Sequence, residues 1–318
     1  MCALPDELAP LLSHLPEERV GAVTSIEPIT RGLSGAGVFA VTAARGAFVL
    51  RIQGSDSDEA AFARQVRLLR RVADAGIAPA VVHVDQAARA VVSVRVMGRP
   101  LGAALGDPAQ RPNALASVVD GLRALHALAT ADVAPSDPVG YALKAWQRVS
   151  SRPGFPAWAA ALEPVPENAA AALARDPRRV ISHNDVNPGN ILWDGARAWL
   201  VDWEVAGLGH PHYDLAVFAM FLRLDDEASF ALAARHDGAA LDQQARATFL
   251  ALRRLAAVLC GLIFLGLVDD LTVCPAPSRA QAPALGDCYA AMRDGRFDLR
   301  QPRDRAAFGL ALLAEASS

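Results

Sequence analysis

Lysine is almost missing from this sequence: Lys144 is the only one in 318 residues, and arginine supplies nearly all the positive charge. Beside abundant Ala, Arg and Pro, that scarcity reads as genomic base composition rather than function. A basic excess is also lacking. With Lys+Arg at 31, Asp+Glu at 34 and a formal net charge of -3, neither nucleic acid nor an anionic membrane is expected as a partner. Cysteines are few, and Cys2, Cys260, Cys274 and Cys288 show no metal-ligand spacing. They argue against a disulfide framework and for reduced thiols, so a cytoplasmic protein is expected. No basic-then-apolar segment opens the chain. The longest apolar run, Leu255 to Val268, is short for a bilayer span and follows an Arg pair, so a buried helix is expected there.

What is present is enough for two cores, at 53% hydrophobic and 20% charged residues. Strand-like segments occupy Val23 to Ile29, Val38 to Thr42 and Ala47 to Ile52, separated by Gly-rich or polar turns. Phe62, Val66, Leu69 and Val72 then recur at helical spacing, on a helix starting near Asp56 or Ser57 as N-cap and stopping before Gly76. Two more strands follow, near Val81 to Val84 and Ala90 to Val96. From about Pro112 onward helical intervals of Leu, Ala and Val dominate. The expected class is α+β, with an N-terminal five-stranded antiparallel sheet carrying one helix over residues 1–97. A mainly helical region is expected over residues 98–318, and no internal repeat is visible.

One stretch interrupts the helical pattern. His183-Asn184-Asp185-Val186-Asn187-Pro188-Gly189-Asn190 is followed by two apolar triplets, Ile191-Leu192-Trp193 and Trp199-Leu200-Val201, around an Asp194-Gly195 turn signal. Asp202-Trp203-Glu204 comes next. A hairpin of that kind returns Asp202 close to Asn190. Taken singly, Asp and Asn beside Pro-Gly are ordinary turn formers. As a set they match the needs of metal-assisted phosphoryl transfer from ATP, which asks mainly for alignment of the attacking oxygen and neutralisation of triphosphate charge. Asp185 would accept the hydroxyl proton. The amide oxygen of Asn190 and the carboxylate of Asp202 suit Mg2+, a hard cation that prefers oxygen.

The stretch from Ile181 to Leu215 resembles the aminoglycoside phosphotransferase and choline kinase-like family of small-molecule kinases. Asp202-Trp203-Glu204 with Ala206-Gly207 looks more like its choline, ethanolamine and thiamine kinase branch. The resemblance implies a bilobal protein-kinase-like fold, with an ATP-covering lobe over 1–97 and a catalytic and substrate-binding helical lobe over 98–318. It also implies ATP and Mg2+ as cofactors and a small-molecule hydroxyl as acceptor. Gly32-Leu33-Ser34-Gly35-Ala36-Gly37 resembles the family's phosphate loop, with Gly35 where a backbone amide would meet phosphate; equally it reads as a plain hairpin turn. Arg51 falls where the family carries a phosphate-contacting Lys, or is a surface strand residue. The family's Glu on the next helix is replaced by Gln65, a departure that removes the usual ion pair.

Ser93-Val94-Arg95-Val96-Met97-Gly98 resembles the hinge that holds adenine, which makes Ser93, Val94 and Val96 candidates for the nucleotide; without the resemblance it is a strand ending at Gly98. His183 reads as a packed hydrogen-bonding element. Asp214 resembles the family Asp that buttresses the catalytic loop, and also suits a helix N-terminus. Glu204 is read as an outer contact to Mg2+ or toward a cationic acceptor, His210 as part of a substrate-facing rim, and His126 as a helix-core residue. A quaternary ammonium would want an aromatic cage, and the C-terminal helices offer Phe264 and Tyr289 but no Trp. Asp225, Asp226, Glu227, Asp269 and Asp270 would favour a cationic acceptor, or are caps and solvated surface. Alternatives to the choline-type reading are an antibiotic phosphotransferase and a catalytically silent nucleotide-binding protein.

Overall fold

The computed structural model describes residues 6–29, 37–54 and 58–317. Its strands are β1 (Val23–Pro28), β2 (Gly37–Ala43), β3 (Gly46–Ile52), β4 (Val81–Asp85), β5 (Ala90–Val94), β6 (Arg99–Pro100), β7 (Val180–Ser182), β8 (Ile191–Trp193), β9 (Ala198–Leu200) and β10 (Gly207–Gly209). The helices are α1 (Glu17–Val20), α2 (Glu59–Asp74), α3 (Leu101–Leu105), α4 (Arg111–His126), α5 (Pro138–Val149) and α6 (Val165–Arg175). They continue with α7 (Pro211–Phe221), α8 (Asp226–Asp237), α9 (Gln243–Gly266), α10 (Leu285–Arg293) and α11 (Pro302–Ala316). Packing groups them into two units, Met1–Ala134 with Pro188–Ala206, and Pro135–Asn187 with Gly207–Ser318.

The first unit is built on an antiparallel five-stranded sheet in the order β1-β2-β3-β5-β4. The five expected strands all form, because β-branched runs bounded by turns have one face to bury on each side. Phe48 and Leu50 of β3 alternate toward a core that includes Leu15, Val20, Ile26, Val41 and Val92. On the opposite face α2 lays Phe62 and Val66 against Val91. Its cap is Asp58, whose side chain accepts from the Ala60 amide at 3.1 Å. The helix therefore starts later than the expected Asp56 or Ser57, which lie outside the described residues.

Packing places more in this unit than the sheet and one helix expected over 1–97. β6 pairs with β8, and β8 pairs with β9. Ser117 of α4 accepts from the Ala198 amide at 2.9 Å, and Leu200 donates to the Ile77 carbonyl at 3.0 Å. Those bonds tie the hairpin to α4 and to the loop between α2 and β4. Gly98 is obligatory here: a Cβ would stand 2.7 Å from the Trp193 carbonyl oxygen.

In the second unit α9 is the central helix, packed against α5, α6, α7 and α11. It includes most of the run expected as a buried helix, and Leu255, Ala256, Ala257, Val258, Leu262 and Leu265 are buried in it. It is also the one described helix long and apolar enough to cross a membrane, and just over half of its apolar window is buried. α9 meets α11 at Gly261 and Gly309, where a Cβ on either would lie 2.9 Å from the other's carbonyl oxygen. Arg152 closes the end of α9 by donating to the carbonyls of Leu265 at 3.1 Å and Asp269 at 2.7 Å, and also to Val268. A short antiparallel pair, β7 with β10, lies ahead of α7.

Candidate active site

β7 delivers the chain into the loop from His183 to Asn187. Asp214, in the first turn of α7 and fully buried, fixes that loop: its carboxylate accepts from the His183 amide at 2.9 Å and the Asn184 amide at 2.7 Å. The expected buttress is thus in place, holding two main-chain donors of the loop. Asn184 takes a left-handed backbone, φ 66°, a conformation Asn tolerates better than most residues. His183 is fully buried, and its Nδ1 accepts from the Asp185 amide at 3.3 Å. It orients the loop, as expected of a packed element.

Asp185 itself is held by a residue that the sequence did not single out. The Asn187 side-chain amide donates to one Asp185 carboxylate oxygen at 2.8 Å. The negative charge of Asp185 is felt in α7 and α9. Burial, and after it Cys260, Asp214 and Asp185, push the Tyr213 hydroxyl well above its ordinary pKa. Burial, and after it Asp185, push the Cys260 thiol up as well. A carboxylate, a phenol and a thiol of the second unit therefore share one neighbourhood, in which burial keeps the phenol and the thiol protonated.

Asn190 and Asp202 are brought together in the first unit. The β8–β9 hairpin closes with the Val201 amide donating to the Asn190 carbonyl at 2.9 Å, so Asp202 follows the residue bonded to Asn190. Asp194 shapes the turn by accepting from the Ala196 and Arg197 amides at 2.8 Å and from the Trp199 indole at 2.7 Å. Burial would raise its pKa, but those bonds outweigh burial and hold it lower than usual. Asp202 has φ 66°, a strained geometry of the kind found at functional sites. Trp203 is buried and donates to the Leu200 carbonyl at 3.0 Å, which anchors the segment between Asp202 and Glu204.

No group of three or more His, Cys, Asp or Glu side chains gathers for a metal among the described residues. Mg2+ needs less, since it usually keeps several waters and takes one or two carboxylates together with phosphates. The oxygen donors of Asn190 and Asp202, on backbone that the hairpin brings together, are of the kind such a set needs.

The nucleotide-side candidates separate by strand face. Register sets Ser93 opposite Val49, and Arg51 opposite Val91, while Val94 stands opposite Phe48. Ser93, Val49 and Arg51 thus share the α2 face of the sheet, and Val94 the other. Val94 and Val96 line an open groove of about 470 Å³ with Pro79, Ala80, Met97, Asp194, Ala196 and Trp199. Gly35 lies outside the described residues.

Arg51 stands 3.1 Å from an Asp202 carboxylate oxygen and makes a closer ion pair with Glu204. Glu204 thus has a partner that no local pattern foretold. Gln65 does not take that place; it accepts from the Gln53 side chain.

His210 is corrected from rim to interior. It is 3% exposed, its Nδ1 accepts from the His212 amide at 3.2 Å as the cap of α7, and its Nε2 stands 2.9 Å from Asp176. His126 ends α4, partly buried. Of the acidic candidates, Asp225 caps α8 through the Ala228 amide at 2.8 Å, Asp226 pairs with Arg253, and Asp270 caps a short turn through the Thr272 amide at 2.9 Å. Those are structural duties.

Solved structures share this fold. A choline/ethanolamine kinase family protein from Mesorhizobium loti aligns with a TM-score of 0.67 at 24% identity, over 96% of this chain and 98% of that one. A choline kinase from Streptococcus pneumoniae gives 0.63 at 14%, over 82% and 91%. An aminoglycoside phosphotransferase from Streptomyces rimosus, solved with ADP and streptomycin, gives 0.55 at 23%, over 79% and 99%. No curated protein matches the chain. At these identities the structures establish a kinase-like fold and nothing finer. The profile of the phosphotransferase enzyme family, however, matches residues 25–260, a span that runs from β1 through the buttressed loop and the Asp202 hairpin into α9, and the chain belongs to that family.

Proposed function

We propose that the protein transfers the γ-phosphate of ATP to a hydroxyl of a small molecule, with a choline-, ethanolamine- or thiamine-like alcohol as acceptor. The observation that carries this reading is the loop clamped by Asp214, which presents Asp185 with its carboxylate steadied by Asn187. Asp185 takes the proton of the attacking hydroxyl as the oxygen advances on the γ-phosphorus. Arg51 neutralises phosphate charge from the α2 face of the sheet, which Ser93 shares. Asn190 and Asp202 would hold Mg2+, which when bound draws charge from the β- and γ-oxygens. The acceptor branch rests on the Asp202-Trp203-Glu204 signature.

An aminoglycoside acceptor is the second reading, favoured by the family's breadth and by the Streptomyces rimosus relative in particular. ADP release against choline, ethanolamine, thiamine, sugars and aminoglycosides tests both. At least one acceptor is expected to stimulate release, and Asp185→Asn and Asp202→Asn to abolish the stimulation. Nucleotide binding without turnover on every acceptor would leave a silent nucleotide-binding protein instead.

A further inference from the structure

Arg51 is where the chain departs from the pattern its motifs follow. A cation meant for phosphates must be held in place when the nucleotide is absent, since a free arginine side chain carries considerable rotamer entropy. A carboxylate does this well, and a neutral amide less so. α2 offers only Gln65 at the position read for that purpose, and Gln65 is engaged by Gln53. The carboxylates that do reach Arg51 come from the segment after β9: Asp202 at 3.1 Å and, closer, Glu204.

We propose that Glu204 is the positioning residue for Arg51, taking over from the strand–hairpin side a task that α2 does not perform. This rests on the proposed nucleotide-dependent function and adds to it the residue that sets affinity for the phosphates. Of the two carboxylates, Glu204 makes the closer pair with Arg51, and Asp202 is the one assigned to the metal. Trp203, buried between them in sequence, anchors both.

The guanidinium remains chemically available. Its Nε and Nη2 are out of solvent yet make no well-aligned hydrogen bond, so its contact with the carboxylates is ionic and not a bidentate fork. A phosphate oxygen reaching the guanidinium would supply the acceptor that Nε and Nη2 lack. As a consequence, movements of α2 do not switch the cation. Phosphate affinity is coupled to the Asp202–Glu204 segment instead.

The two possible effects of Glu204 on a nucleotide have opposite signs, which makes the idea decidable. As a bare carboxylate it repels phosphate, and its removal would tighten binding; as the holder of Arg51 its removal weakens binding. The experiment is calorimetric titration of ADP in excess EDTA, so that no metal contributes. Glu204→Gln is expected to weaken ADP binding roughly tenfold. Arg51→Met should weaken it at least as much, and Gln65→Ala should leave it unchanged. In the Arg51→Met background, Glu204→Gln should cause no further loss. Unchanged or tighter binding by Glu204→Gln alone, an equal loss in both backgrounds, or a Gln65→Ala effect as large as that of Glu204→Gln would overturn the proposal. Melting curves of each variant show that a lost affinity is not lost fold. Failure of the wild-type protein to bind ADP or ATP under any condition would count against the proposed function, and is distinguishable from these outcomes.

Discussion

Asp214 has no exposed surface, and both its oxygens are used on main-chain donors of the loop that carries Asp185. Removing the side chain strands two amides, each at about 1–3 kcal/mol. Asp214→Ala is therefore expected to lower the melting temperature by several degrees and to reduce phosphotransfer far more than nucleotide affinity. Asp214→Asn, whose amide can accept from only one of the two donors, should fall between. Calorimetry alongside ADP titration checks both. Asp202 behaves differently because its φ of 66° is tolerated by Asn but strains Ala. Asp202→Asn is expected to keep the fold and lose metal-dependent turnover, and Asp202→Ala to lose both activity and about 1 kcal/mol of stability. At this scale the spacing of Asp185, Asn190 and Asp202 singled out the loop and hairpin, and the family resemblance singled out Asp214, whose bonds to the loop the structure shows. Asn187 did not stand out, because Asn before Pro-Gly reads as turn chemistry. Nor did the Arg51–Glu204 pair, since nothing local links residues on β3 and after β9.

The elements were legible in proportion to their periodicity. The five sheet strands alternate or cluster β-branched residues between turns, and the β8–β9 hairpin declares itself through Asp194-Gly195. β6 is two residues long, too short to carry a pattern, and only its pairing with β8 makes it a strand. That pairing draws the chain after residue 97 into the first unit. The α9–α11 crossing was equally hidden, since Gly261 and Gly309 are unremarkable within Ala-rich helices. Each glycine nevertheless lets one backbone rest on the other. Adding a methyl at either must push the helices apart, an overpacking cost of about 1–3 kcal/mol. Gly261→Ala and Gly309→Ala are each expected to lower the melting temperature. Because both act through one contact, the double variant should lose less than the sum. A simple sum would mean that the helices do not share that crossing as described.

Over the molecule as a whole, acid sensitivity is expected from a cluster in the second unit, where the buried His210, His212 and His236 meet the less buried Asp176 and Asp237. Asp176 is held well below the usual carboxylate range by the Arg178 guanidinium first and by His210 next, against the opposing effect of burial. Burial would raise Asp237, but its contacts with His212 at 2.8 Å and His236 at 2.7 Å outweigh burial and hold it well below too. His210 is driven the other way. Burial lowers its pKa to about 4, only partly offset by Asp176. The geometry agrees, since its Nδ1 is occupied in accepting the His212 amide and a second proton there would break the α7 cap. In the unfolded chain a histidine takes its proton near 6.5, so from there down to about 4 the unfolded state binds a proton the folded state refuses. Stability therefore falls as pH drops through that window. Below it, unfolded carboxylates protonate before Asp176 and Asp237 do, and stability falls further with the same sign. The expected result is a melting temperature that declines steadily from pH 7 to pH 4.5. His210→Asn, which can still cap α7 but does not titrate, should melt lower at pH 7 and show a shallower decline. An unchanged slope in that variant would place the acid sensitivity elsewhere than at the α7 cap.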